Sequence, residues 1–117
     1  MHEYSIAQSI MQIVLAEAEK ANARKVLKVS LGIGDLAGVF PDSLSFCFDL
    51  LAKGTIAEDA KLTIEKVPIR GHCPHCNKTF LIKNNLYICQ NCRNPKIEVI
   101  TGRELQINQL EIDDETD

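Results

Sequence analysis

Tryptophan is absent from this chain of 117 residues, and four Phe and two Tyr make up its aromatic residues. So few rings leave little surface for stacking bases. No apolar run nears the roughly 18 residues that a membrane-spanning helix needs. No basic region followed by an apolar core opens the chain, so neither a membrane span nor a signal peptide is expected, and the expected compartment is cytoplasmic. Glycine is sparse, and no P-loop motif is present; Gly32 and Gly34 form only a bare GxG. No convincing Ser–His–Asp set can be assembled, since all three histidines sit near candidate metal-binding segments. Catalysis is therefore not expected.

Charge of one sign is also missing. The formal net charge of −3 gives the whole chain no push toward nucleic acid or an anionic membrane. Local excesses exist nonetheless. Residues 70–101 hold Arg70, Lys78, Lys83, Arg93 and Lys96 against Glu98 alone, and the C-terminal run through Glu111, Asp113, Asp114, Glu115 and Asp117 is acidic, as a frayed tail would be. With 45 % apolar and 25 % charged residues, the chain can bury the core of one domain with a small satellite.

Periodicity supplies the elements. Ile6, Ile10, Ile13, Val14 and Ala18 recur at helical spacing, which predicts a helix from Ser5 to about Asn22. Ser5 and Gln8 fit a capping box, leaving residues 1–4 as a short free arm. Leu27, Val29, Leu31 and Ile33 alternate with smaller or polar residues as in a half-buried strand. Pro41 suits the first turn of a second helix, with Leu44, Cys47, Phe48 and Leu51 on one face and Gly54 at its end. Leu62 and Ile64 mark a second strand that Pro68 closes, and Leu105 to Ile112 a third, whose phase slips near Asn108 as at a β-bulge. The expected fold is α+β: two helices packed on a three-stranded sheet formed by residues 1–69 and 102–117, with residues 70–101 as an inserted four-cysteine module resembling a zinc ribbon.

Five cysteines are present, and four of them form Cys73-Pro-His-Cys76 and, twelve residues on, Cys89-Gln-Asn-Cys92. In a cytosolic chain, paired CxxC knuckles read as a metal site before they read as disulfides. Two residues between thiolates let one tight turn offer two sulfurs to one ion, and two turns complete the tetrahedron that Zn²⁺ accepts. Iron in a rubredoxin-like site uses the same spacing. A hairpin of Thr79–Ile82 with Leu86–Ile88 would bring the knuckles together. Four sulfurs leave no open position, so the ion's role is structural, and His72 and His75 are read as exposed neighbours of a filled site. Cys47 reads as an inert buried thiol.

The other candidate is Met1-His2-Glu3. With a free α-amino group on Met1, that amine, the His2 imidazole and the amides of His2 and Glu3 can close an all-nitrogen planar set, which suits Ni²⁺ or Cu²⁺. A Glu3 carboxylate oxygen in a six-coordinate arrangement is the alternative. Binding displaces protons, so affinity should fall in acid. A runner-up reading makes the basic segment around Phe80 and Tyr87 a zinc-ribbon module for nucleic acid or protein.

Met1-His2-Glu3-Tyr4-Ser5, Leu31-Gly32-Ile33-Gly34-Asp35, Phe46–Phe48, Lys53-Gly54-Thr55 and the two CxxC pairs together resemble the HypA family. These are nickel metallochaperones of nickel–iron hydrogenase maturation, also called HybF. The similarity runs over nearly the whole chain in the same order. It implies a nickel domain binding Ni²⁺ through Met1, His2 and Glu3, and a zinc domain inserted before the last strand with Cys73, Cys76, Cys89 and Cys92 as Zn²⁺ ligands. It also implies work with the GTPase HypB, delivery to the hydrogenase large subunit and, in some bacteria, service to urease. No nucleic-acid or membrane partner is implied, and a monomer or weak homodimer is expected. One departure stands out: many relatives carry an acidic residue where ungapped matching puts Phe40, and neither Asp35 nor Asp42 is counted as its replacement.

Overall fold

A computed structural model of the chain describes residues 2–113; Met1 and the acidic positions Asp114, Glu115 and Asp117 lie outside that range. The elements are α1 (His2–Lys20), β1 (Lys25–Gly34), α2 (Pro41–Ala52), β2 (Lys61–Val67), β3 (Arg70–Cys73), β4 (Lys78–Leu81), β5 (Glu98–Thr101) and β6 (Leu105–Asp113). One sheet has the order β2-β1-β6 and the other β4-β3-β5, so the class is α+β with two helices and two three-stranded sheets. The chain divides into two compact units. Met1–Leu31, Val39–Glu65 and Gln106–Asp117 form the first, and Gly32–Gly38 with Lys66–Leu105 the second.

In the first unit α1 and α2 pack on each other through apolar stripes. Ala7, Ile10, Met11, Val14 and Ala18 supply one stripe, Leu44, Cys47, Phe48 and Ala52 the other, and Val26, Val29 and Leu31 of β1 are buried with them. Two sequence expectations need correction here. Ile13 is 52 % exposed, because the buried stripe runs through Met11 and Val14 and leaves Ile13 to the side, over a groove shared with residues 107–110. Leu27 faces outward while Val26 is buried, so the strand's alternation slips between Val26 and Val29.

The largest correction concerns the start of α1. The helix begins at His2, and Ser5 lies inside it rather than capping it. Stepping back four residues from Ala7 along the buried stripe leads to Glu3, which is itself buried. The first turn is therefore held by tertiary contact, which can override a local capping signal. At the other end, Asn22 takes the left-handed conformation (φ 55°) and the Ala23 N–H reaches back to Ala18 O at 2.9 Å, closing the helix. Within the acidic run, Glu111 and Asp113 belong to β6, and Asp113 is fixed by the Arg24 guanidinium at 2.9 Å.

α2 follows its sequence signals more closely. Pro41 occupies the first turn, and Gly54 follows the helix with φ 80°. β6 is one nine-residue strand, and its half-buried Ile107, Leu110 and Ile112 keep the uneven spacing seen in the sequence.

The second unit is wider than residues 70–101, taking in residues 66–69, 102–105 and the 32–38 segment. Backbone hydrogen bonds explain the extension: Gly34 N–H donates to Glu104 O and Leu36 N–H to Gly102 O, each at 2.7 Å, and Asp35 N–H to Val67 O at 3.0 Å. Gly34 is required by this approach, because a Cβ there would sit 2.0 Å from the Gly102 carbonyl oxygen. Gly34→Ala must push two backbones apart and should cost about 3 kcal/mol, at the upper end of overpacking effects, read as a fall in the urea midpoint.

The expected 79–82/86–88 hairpin does not form. β4 pairs instead with β3, antiparallel, from Arg70↔Leu81 to Cys73↔Lys78. The first CxxC knuckle is itself the hairpin's turn. Residues 86–88 are irregular, following a turn in which Asn84 and Asn85 both adopt positive φ, and β5 takes the other edge of β3.

Candidate metal sites

Both knuckles fold alike. The residue after each second cysteine is left-handed, Asn77 at φ 59° and Arg93 at φ 64°. Each also closes its turn on the first cysteine, Asn77 N–H to Cys73 O at 2.7 Å and Arg93 N–H to Cys89 O at 2.9 Å. Asparagine tolerates this conformation well, whereas Arg93 adopts it at some steric cost.

The turns bring Cys73, Cys76, Cys89 and Cys92 together, with all four sulfurs within 4.8 Å of one another. Cys73 Sγ lies 3.6 Å from Cys92 Sγ, and Cys76 Sγ 3.5 Å from Cys89 Sγ. A tetrahedron with metal–sulfur bonds of ~2.3 Å has edges of about 3.8 Å, so the donor set fits a divalent ion such as zinc with little movement. Backbone N–H groups of Asn91 and Cys92 also point at Cys89 Sγ, each at 3.4 Å.

The sulfurs' acidities show what an ion would relieve. The Cys92 N–H, partly opposed by burial and aided by the Asn91 N–H and neighbouring thiols, lowers Cys89 to about 6. Cys92 receives the Asn94 N–H, which favours its thiolate, yet burial and the sulfurs of Cys73, Cys89 and Cys76 push it up to about 12. One thiolate is thus prepared by the backbone and the next is resisted by its neighbours. A bound dication removes that conflict.

His72 is not turned toward the sulfurs. Its Nε2 faces Asn77 Oδ1 at 2.9 Å and its Nδ1 faces Glu98 Oε1 at 3.3 Å, so it pins the first knuckle to β5. Two acceptors favour the doubly protonated ring: Asn77 and then Glu98 raise the His72 pKa above its ordinary 6.5, against some burial. The sign follows from the raised value. This link is fully present below pH 6.5 and is lost as pH climbs through the higher folded-state pKa. NMR titration of the zinc-loaded protein should place the His72 midpoint above 6.5, and Asn77→Ala should bring it down.

At the other candidate site the described residues bring His2 and Glu3 together, while Met1 lies outside them. His2 Nδ1 is 3.5 Å from Glu3 Oε2, with the His2 side chain more than half exposed. Glu3 is only 9 % exposed, and its Oε2 accepts the Phe40 N–H at 3.2 Å. That hydrogen bond, opposed by burial and supported by Glu3's own N–H and by His2, holds the carboxyl below its ordinary pKa. The free arm expected for residues 1–4 is therefore, over residues 2–4, the first turn of α1. The amides of His2 and Glu3 fall among the four at a helix start that have no i−4 acceptor, so binding an ion there breaks no helical bond.

Phe40 is 70 % exposed: its ring faces water while its N–H is held. Beside Glu3, a groove of ≈ 640 Å³ runs between the helices, lined by Tyr4, Asp42, Ser43, Phe46, Cys47 and Leu50. Sequence reasoning missed the Glu3–Phe40 link, although the Glu3–Ala7–Met11 spacing carried the signal.

Comparison with known proteins identifies the family. A family profile described as "Hydrogenase/urease nickel incorporation, metallochaperone, hypA" matches residues 1–112. A hydrogenase maturation factor HypA from Dehalococcoides mccartyi is 40 % identical over 116 residues, covering 99 % of this chain and 98 % of the relative. The protein of the same name from Geobacter metallireducens is 42 % identical over 113 residues, 97 % of this chain and all of that one. A solution structure of a HypA protein superposes with a TM-score of 0.76 at 26 % identity, covering 98 % of each chain. That of the nickel metallochaperone HypA from Helicobacter pylori, at 23 % identity, shares the fold with a TM-score of 0.68 over 95 % of this chain and 97 % of that one. With its profile matched almost end to end and its relatives aligned over nearly their full length, this chain belongs to the HypA family, whose members are metallochaperones rather than enzymes.

Proposed function

We propose that this protein binds Ni²⁺ at Met1, His2 and Glu3 and delivers it for maturation of nickel–iron hydrogenase, with Zn²⁺ held structurally by Cys73, Cys76, Cys89 and Cys92. The single observation that carries the reading is family membership over residues 1–112 among relatives named as hydrogenase maturation factors. An exposed His2 at the head of α1, beside amides with no helical acceptor, is consistent with a chelating start. We assign nickel carriage to residues 1–69 with 102–117 and zinc binding to residues 70–101, the insert that lies within the wider second compact unit.

Zinc, when bound, neutralises the crowded thiolates and fixes both knuckles. The chain's own part is to present four sulfurs already gathered, with Cys89 solvated by two backbone N–H groups. The expected partners are the GTPase HypB and the hydrogenase large subunit, with urease as a second destination, and the setting is cytoplasmic. A carrier must also release its cargo. Ligands on the first turn of one helix part with an ion without disturbing the core formed by Val14, Leu44 and Phe48. Metal analysis of untagged protein after nickel exposure and desalting should return one nickel and one zinc per chain; zinc without nickel would overturn the carrier role.

A further inference from the structure

We infer that Glu3 serves nickel capture as a positioning residue: its carboxylate ties the His2 turn to the start of α2 instead of ligating the ion. This role rests on the nickel reading above and specifies how that site is held.

The start of α2 has an uncapped donor. Phe40 is the N-cap residue and makes no side-chain cap bond, and Pro41 follows it. In a capping box, a Glu or Gln three residues beyond the N-cap reaches back to accept the N-cap N–H. That place is held by Ser43, whose short side chain cannot make the same reach. Glu3 does it from the other helix: its Oε2 accepts the Phe40 N–H at 3.2 Å. A buried carboxylate spent in this way belongs to the fold of the first unit.

The same oxygen faces His2 Nδ1 at 3.5 Å. Nδ1 is the ring nitrogen that closes a six-membered chelate with the residue's own amide nitrogen, so it is the one a planar N-terminal chelate uses. Oε2 therefore holds the His2 ring before an ion arrives; on chelation Nδ1 exchanges this contact for the ion, and what remains is the tie to the Phe40 N–H, which keeps the first turn of α1 in place. Phe40 contributes through its backbone and has no ligating group of its own.

Three variants separate this role from direct ligation, with nickel affinity read by calorimetry and the nickel shell by X-ray absorption. Glu3→Ala should weaken nickel binding by about 10-fold, the scale of one lost hydrogen bond to a charged group, and speed hydrogen exchange at the Phe40 amide to a similar degree. Glu3→Gln keeps an acceptor for the Phe40 N–H, so it should recover slow exchange, most of the affinity and an unchanged nickel shell. Phe40→Pro removes the donor, together with a ring that is 70 % exposed, at a residue whose φ of −88° lies near proline's range, and should weaken nickel binding although it alters no ligand. Helical circular dichroism checks that each variant is folded. A Glu3→Gln protein that loses an oxygen scatterer and binds as poorly as Glu3→Ala would make the carboxylate a ligand and overturn the inference. So would Glu3→Ala and Phe40→Pro proteins that bind nickel as the wild type does. If the wild type itself takes up no nickel, the nickel reading falls and this role with it, while exchange at Phe40 still reports whether the tie exists.

Discussion

Chelating the zinc, or replacing Cys89 with Ser, should unfold the module built from β3, β4 and β5 while leaving α1 and α2 helical. The second unit has little else to hold it. Of its buried apolar side chains, Cys73 and Cys89 belong to the four-sulfur cluster, and Ile33 and Ile82 are the aliphatic remainder. A segment with so small a core does not fold on apolar burial alone. Structural zinc contributes apparent free energies of about 10–16 kcal/mol in short zinc-binding peptides near neutral pH, far beyond what two isoleucines supply. Cys89 is an informative position because it is fully buried and two backbone N–H groups converge on its sulfur. Heteronuclear NMR should show resonances of residues 70–101 collapsing to random-coil positions, with far-UV helix signal retained and zinc absent from the variant. A variant that stays dispersed without metal would show that the knuckles fold by themselves. The acid dependence has a defined sign: zinc requires thiolates, so its affinity falls as pH falls.

The metal module was the most legible part of the sequence, because CxxC spacing fixes local geometry with little help from the rest of the chain. Its surroundings were less so. The hairpin was misplaced onto residues 86–88 because their apolar run resembles a strand, yet Asn84 and Asn85 turn the chain there and β3 is the strand that meets β4. Strand pairing is a long-range choice that periodicity does not encode. The helices were read correctly in number, and α2 nearly in extent, since Pro41 and Gly54 are local signals. The start of α1 was misread for the opposite reason. Ser5 and Gln8 make a good local cap, but a buried Glu3 accepting the Phe40 N–H draws three more residues into the helix. A charged residue in a buried stripe looks like the end of the stripe until its partner is known. The glycine pair at 34 and 102 was similarly invisible, as each residue's reason is the other.

His2→Ala should lower nickel affinity by about 100-fold or more, because it deletes the one side-chain nitrogen of the proposed chelate and leaves only amine and amide donors. Adding a single residue before Met1 should do the same with every side chain intact, since it moves the α-amino group out of the ring that His2 closes. The pair of variants is informative because their shared effect has one common cause. Neither alters a cysteine, so one zinc per chain should remain, and neither removes a buried group, since the His2 side chain is 58 % exposed. Stability should therefore stay within about 0.5 kcal/mol of the wild type, as for ordinary surface changes. Nickel bound unchanged by both variants would place the cargo elsewhere. Nickel lost in His2→Ala but kept in the extended chain would leave the imidazole as a ligand and replace the amine with another donor. Loss in both means that the α-amine and the imidazole hold the ion together, as one chelate. Affinity should then rise steeply with pH, because the amine, the imidazole and the amides all compete with protons for the same lone pairs.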